Sequence, residues 1–124
     1  MKEKYSSNKL ITNIIKSIEE VKGKEVILID MKKIDNSPCD YFIICDGSSN
    51  TQVSAIVSKI KKNVSKLLSE KPLNIEGLEN CKWVLIDYIN VVVHVFQKEI
   101  RKYYNIENLW GDAKHTKFIS KIEL

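Results

Sequence analysis

Two short stretches, Glu25–Asp30 (EVILID) and Tyr41–Cys45 (YFIIC), are apolar and rich in β-branched residues, with no polar residue at every second place. A strand with one wet face alternates, whereas a strand without alternation is covered on both faces. A chain built on such strands needs helices to lay on its sheet, and the sequence supplies them. Leu10, Ile11, Ile14, Ile15, Ile18 and Val21 recur at helical spacing and predict a helix near 8–21, with Gly23 as its stop. Val53, Ile56, Val57, Ile60, Val64, Leu67 and Leu68 predict a longer helix near 51–69. It follows the cap-forming run Ser48-Ser49-Asn50-Thr51 and ends before Pro72. Lys82–Asp87 and Val91–Phe96 are two strands with little between them, which is a hairpin, and Glu99–Tyr104 is a short helix. The last eleven residues have no strong period and read as a loosely docked tail.

The order helix, strand, strand, helix, two strands, helix predicts an α/β fold: a single compact domain with a mixed sheet and packed helices. A chain of 124 residues can bury one core without staples. With 44% hydrophobic and 29% charged residues, four Gly and two Pro, it is neither disordered nor low-complexity. No apolar run approaches the ~18 residues that would span a bilayer, and the start, Met1-Lys2-Glu3-Lys4-Tyr5, has no apolar signal core behind it. Cys39, Cys45 and Cys81 are odd in number and form no C-x-x-C, which suits buried free thiols in a reducing cytoplasm.

The charge excess sits in one part of the chain. Residues 1–71 hold thirteen Lys or Arg against nine Asp or Glu, and residues 72–124 hold seven of each. Lys59, Lys61, Lys62, Lys66 and Lys71 stand against one acid, Glu70, on and just after the long helix. A lysine face of this kind is most often simply solvated, but it can also steer a protein toward RNA without reading bases. Arg101 is the only arginine, so bidentate reading of bases or phosphates is poorly served.

Gly47-Ser48, between a strand and a helix, is the place where a nucleotidyltransferase domain would cradle a triphosphate. That chemistry needs two metal ions held by carboxylates, which in such domains follow the Gly-Ser by about a dozen residues. Ser48 to Ser69 contains no Asp or Glu, so a plain capped turn is the favoured reading and nucleotidyl transfer the alternative. Neither His94 nor His115 has a His or Cys at ligand spacing, so no metal or cofactor is expected. His94 interrupts an otherwise apolar strand. It is either a satisfied core histidine or part of a functional face.

Register decides its neighbours. With Ile89-Asn90 as a two-residue loop, Trp83, Leu85, Asp87, Val92, His94 and Phe96 share one face. With a three-residue loop, Asn90 takes the left-handed position and Val91, Val93 and Val95 join Trp83 instead. Ile89 tolerates a positive φ badly, and the residues alone leave both registers open. Trp83, on a short strand near Asp87, is read as a partner anchor and not a core wedge. Its replacement by Ala is then expected to leave the melting temperature nearly unchanged.

The run Ser37–Val53, then Gly77, Trp83–Asp87, Val91–Phe96, Glu99–Tyr104 and Leu109-Trp110-Gly111-Asp112-Ala113, taken in order, resembles the Iojap-like ribosomal silencing factors. The likeness spans residues 1–113 and leaves 114–124 as a tail of unknown role. It implies a nucleotidyltransferase-like fold without catalytic carboxylates, and a protein that is not an enzyme. It further implies binding to ribosomal protein L-fourteen on the large ribosomal subunit, hindrance of small-subunit joining and lower translation when nutrients are short. The partner-binding residues carried over by the resemblance are Trp83, Asp87, His94, Phe96, Glu99, Arg101 and Tyr104. Peripheral contact of Lys59, Lys62 and Lys66 with ribosomal RNA, and a homodimer of the free chain, are both compatible with it. Ile89 stands where relatives often carry Gly, which favours the two-residue turn.

Overall fold

The structure, a computed structural model, describes residues 7–118. Its centre is a six-stranded mixed sheet. The strands are β1 (Lys24–Asp30), β2 (Tyr41–Gly47), β3 (Asn74–Glu76), β4 (Trp83–Asp87), β5 (Val91–Gln97) and β6 (Lys114–Phe118), in the order β3-β4-β5-β2-β1-β6. The central pair β2 and β5 is parallel, with Tyr41 opposite Val91 and Gly47 opposite Gln97, and the other pairs are antiparallel. β2 and β5 are buried along nearly their whole length, as their unbroken apolar runs require.

Helices α1 (Ser7–Glu20) and α2 (Asn50–Leu68) cover one face. Leu10, Ile11, Ile14, Ile15 and Ile18 of α1 meet Val53, Ile56, Val57, Ile60 and Val64 of α2 over Ile43, Cys45, Val84, Ile86, Val91, Val93 and Val95 of the sheet. The other face carries Ile29, Phe42, Ile44, Val92 and Phe96. It is covered more thinly, by the 31–40 loop, by α3 (Lys98–Tyr104) through Ile100 and by α4 (Ile106–Leu109) with Trp110.

Local chemistry sets the ends. Ser49 caps α2, its Oγ accepting from the Gln52 N–H at 3.1 Å, and Ser69 closes the helix in the left-handed region, three residues before Pro72. At the end of α1 the left-handed residue is Lys22, not Gly23. Gly23 is needed for close approach instead, because a Cβ there would strike Ile18 Cγ2. Gly77 meets both demands: its φ is 95° and a Cβ would run into the Trp83 carbonyl oxygen.

Two strands differ from the sequence expectation. Residues 114–118, read as the start of a loose tail, form β6 and pair antiparallel with β1 from Val26–Phe118 to Asp30–Lys114. Asn74–Glu76, where no strand was expected, forms the edge strand β3 on β4. Both are edge strands held by backbone pairing, and neither shows an apolar pattern. The remainder of the tail, 119–124, lies outside the described residues.

Candidate partner-binding face

The β4–β5 hairpin settles the register. Trp83 pairs with Phe96, Leu85 with His94 and Asp87 with Val92, so the loop is the two residues Ile89 and Asn90. Ile89 sits at φ 76°, and the Asn90 N–H donates to the Tyr88 carbonyl at 3.0 Å. That is the strained γ-turn, on a β-branched residue. The Ile89 N–H donates to Asp87 Oδ1 at 2.7 Å, so the Asp87 carboxylate braces the turn. The Asn90 carbonyl in turn accepts from the N–H groups of Asp40 and Tyr41, tying the hairpin tip to the start of β2.

This register puts an aromatic stack on the thinly covered face. Phe96 is fully buried at its base; Trp83 lies on it with ring centroids 4.8 Å apart, and Tyr104 of α3 lies on Trp83 at 5.0 Å. Tyr103 meets Tyr104 edge-on at 5.0 Å, and both tyrosines are exposed. The Trp83 Nε1–H donates to His94 Nδ1 at 3.1 Å. Beyond the stack, toward the hairpin tip, Pro38, Phe42, Leu73, Leu85, Asp87, Ile89, Val92 and His94 line an open, mostly apolar groove of about 430 Å³.

Of the seven residues named by resemblance, Trp83, His94, Phe96 and Tyr104 therefore come together. Asp87 lies on the same face at the tip, and Glu99 stands exposed in the first turn of α3, with no hydrogen bond to the cluster. The structure turns three of the seven inward. Phe96 has no exposed surface and forms the floor under Trp83. Arg101 is buried too: Nη1 donates to the Glu25 carbonyl at 2.7 Å and to Asp46 Oδ2 at 3.0 Å, while Nε donates to Glu107 Oε2 at 2.9 Å and Nη2 forms an ion pair with the same oxygen at 2.7 Å. A guanidinium buried and paired in this way holds the fold and is not presented to a partner. His94 is also enclosed, and burial pushes its pKa down to about 4, with Glu107 pulling the other way. Trp83 itself is half-buried and packs on the second core cluster, so it is part wedge as well as part surface.

Asp46 and Glu107 were missed from the sequence. Asp46 is buried beside Arg101, and burial raises its pKa in spite of that cation. Its position next to Gly47 gave a faint signal; Glu107 gave none.

The Gly47-Ser48 turn is filled from within. The Ser48 N–H and Oγ donate to Gln52 Oε1 at 2.8 and 3.1 Å, and Gln52 Nε2 donates to the Val21 and Lys22 carbonyls at 3.3 and 3.0 Å. The amide that would meet a phosphate is thus engaged, and the turn fastens α2 to the end of α1. Among the described residues no three His, Cys, Asp or Glu side chains gather as a metal site, and no helix is long and apolar enough to cross a membrane. The three cysteines are free and buried; burial pushes the Cys39 thiol up to about 11 and Cys45 up to about 12, so neither is a ready nucleophile. On α2, Lys62 and Lys66 are exposed, whereas Lys59 is partly covered and pairs with Glu20 at 3.4 Å.

Sheet, helices and aromatic face together define a single-domain α/β protein with one closed side and one side carrying a half-covered aromatic surface. The family described as "Ribosomal silencing factor during starvation" matches residues 4–123. A ribosomal silencing factor of Halalkalibacterium halodurans is 42% identical over 108 residues, covering 87% of this chain and 91% of that protein. A crystal structure of a Chromobacterium violaceum protein superposes with a TM-score of 0.82 at 31% identity, covering 96% of this chain and 95% of that one. A mouse protein named for mitochondrial assembly of the ribosomal large subunit is 33% identical over 73 residues, 57% of this chain and 32% of its own length. The chain belongs to the ribosomal silencing factor family, a family of ribosome-associated regulatory factors.

Proposed function

We propose that this protein is a translational repressor that acts in the cytoplasm. It binds ribosomal protein L-fourteen on the large ribosomal subunit through the Trp83–Tyr104 face, blocks joining of the small subunit and lowers translation when nutrients are short. The observation that carries this reading is the aromatic stack, which rises from buried Phe96 through half-buried Trp83 to exposed Tyr104 on the thinly covered side of the sheet. Rigid aromatic area of this kind, backed by a packed floor, is what anchors protein contacts. Family membership supports the ribosome as partner, and the mouse relative's name supports the large subunit. The choice of L-fourteen rests on the likeness of the hairpin to that of the Iojap-like factors. Lys62 and Lys66, with Lys59 beside them, add attraction to ribosomal RNA that salt screens.

Cosedimentation with separated subunits tests the reading. Recovery with the large subunit alone is expected, and equal recovery with both would reduce the contact to generic lysine–RNA attraction. Tyr104→Ala, at a position 53% exposed, is expected to leave folding nearly intact and to weaken binding of isolated L-fourteen about thirtyfold. Unchanged binding by this variant would move the contact face elsewhere.

A further inference from the structure

Two fully enclosed polar atoms on the thinly covered side of the sheet have no protein partner: His94 Nε2 and Glu107 Oε1. The other bond each group makes fixes its character. His94 Nδ1 accepts from the Trp83 indole, so the neutral ring carries its proton on Nε2, which is a donor. Glu107 Oε2 accepts from Arg101 Nε and is ion-paired with Nη2, which leaves Oε1 as the acceptor still open. The two lie in one neighbourhood. Glu107 is the charged side chain that acts on the imidazole. Ile106 and Trp110, on either side of it in the chain, pack into the second core cluster. There Trp110 meets Phe42 edge-on at 5.9 Å, and Phe42 meets His94 edge-on at 4.6 Å. A buried donor and a buried acceptor in one neighbourhood, neither of them bonded to protein, make the usual setting of an internal water.

We propose that one ordered water molecule joins His94 Nε2 to Glu107 Oε1, and that Glu107 is thereby a positioning residue for the Trp83 indole. The water accepts from Nε2–H and donates to Oε1. A continuous path then runs from the indole N–H through His94, the water and Glu107 to Arg101, and from there to Asp46 and the Glu25 carbonyl. Turning the indole breaks its first link, so the direction of the ring is set by where α4 places Glu107. This deepens the proposed contact face and rests on that reading for its functional meaning alone.

The test is nitrogen-resolved NMR of the histidine and tryptophan side chains of the free, full-length chain. The expected result is a proton on His94 Nε2 that exchanges slowly and shows a cross-peak to water, with Nδ1 as acceptor. In Glu107→Ala the Nε2 proton and the Trp83 indole proton should exchange at least tenfold faster, and Glu107→Gln, which keeps an acceptor oxygen, should restore much of the protection. A proton on Nδ1, an Nε2 proton with no contact to water, or unchanged exchange in Glu107→Ala would each overturn the proposal. Should Glu107→Ala not fold, the spectra of the parent decide by themselves. These readouts need no ribosome, so loss of subunit binding by the parent would refute the contact face and leave the water standing.

Discussion

The two faces of the sheet are built by different rules. Under α1 and α2 the interface is mostly aliphatic, made of Ile, Val and Leu with Cys45, Cys81 and Tyr88, and two helices of 14 and 19 residues close it. Under α3 and α4 it is aromatic and polar, with Phe42, Trp83, His94, Phe96 and Trp110 beside the enclosed Arg101 pairings, and two helices of 7 and 4 residues leave part of it open. The first arrangement gains from area alone. The second needs directed bonds to hold short helices that bury too little to hold themselves. Packing by area and holding by directed bonds are thus separated across the thickness of one sheet.

The sharpest way to break that separation is at Arg101. Arg101→Met should cost about 3–5 kcal/mol, because Asp46 is left as a buried, uncompensated acid and half-buried Glu107 loses its partner. Denaturant unfolding reads the loss. A cost below about 1 kcal/mol would mean that the polar side is held by packing after all. On the closed side, Ile60→Ala should cost about 2–5 kcal/mol through the cavity it leaves, while the folded protein still binds the large subunit like the parent. Weakened binding at full folding would show that the faces are coupled.

Acid offers a smaller, one-sided perturbation. His94 has its pKa lowered from 6.5 to about 4 in the folded protein, so between those values the unfolded chain binds the extra proton. Stability from this group is whole above about pH 6.5 and falls away as pH drops toward 4, a span worth about 3 kcal/mol. His94→Gln should flatten that part of the pH profile relative to the parent, and a parallel profile would contradict the assignment. The smallest effect should come from Ile89→Gly, which relieves the positive φ at the hairpin tip and should add about 1 kcal/mol. A loss of stability there would show that the exposed isoleucine side chain matters more than its backbone.

The closed side was also the legible side. α1 and α2 announce themselves because one stripe of each is apolar at helical spacing, and β2 and β5 because both of their faces are covered. The other side depends on meetings that sequence spacing does not report. Arg101 joins Asp46 from 55 residues away, and a lone arginine in the chain reads more naturally as a surface contact than as a buried clamp. The register around Ile89 could not be fixed locally because the turn runs against the preference of its own residue. Tertiary demand settles it, by putting Phe96 and Val92 inward. β3 and β6 escaped notice because short edge strands take their form from a neighbour's backbone and need no apolar pattern of their own. Trp83 was assigned to the surface alone, whereas a ring of that size on a thinly covered face belongs to both surface and core.

The parallel contact between β2 and β5 has a consequence for how the molecule is assembled. Tyr41 finds Val91 only after α2, β3 and β4 have been laid down between them, and β6 reaches β1 across nearly the whole described chain. Pairings so distant in sequence yield nothing until a long loop has closed, so folding is governed by a late, cooperative step and not by its helices, which can form early and locally. On a chain emerging from its own ribosome, the central strands cannot pair until β5 is out, and the edge at β1 stays open until β6 follows.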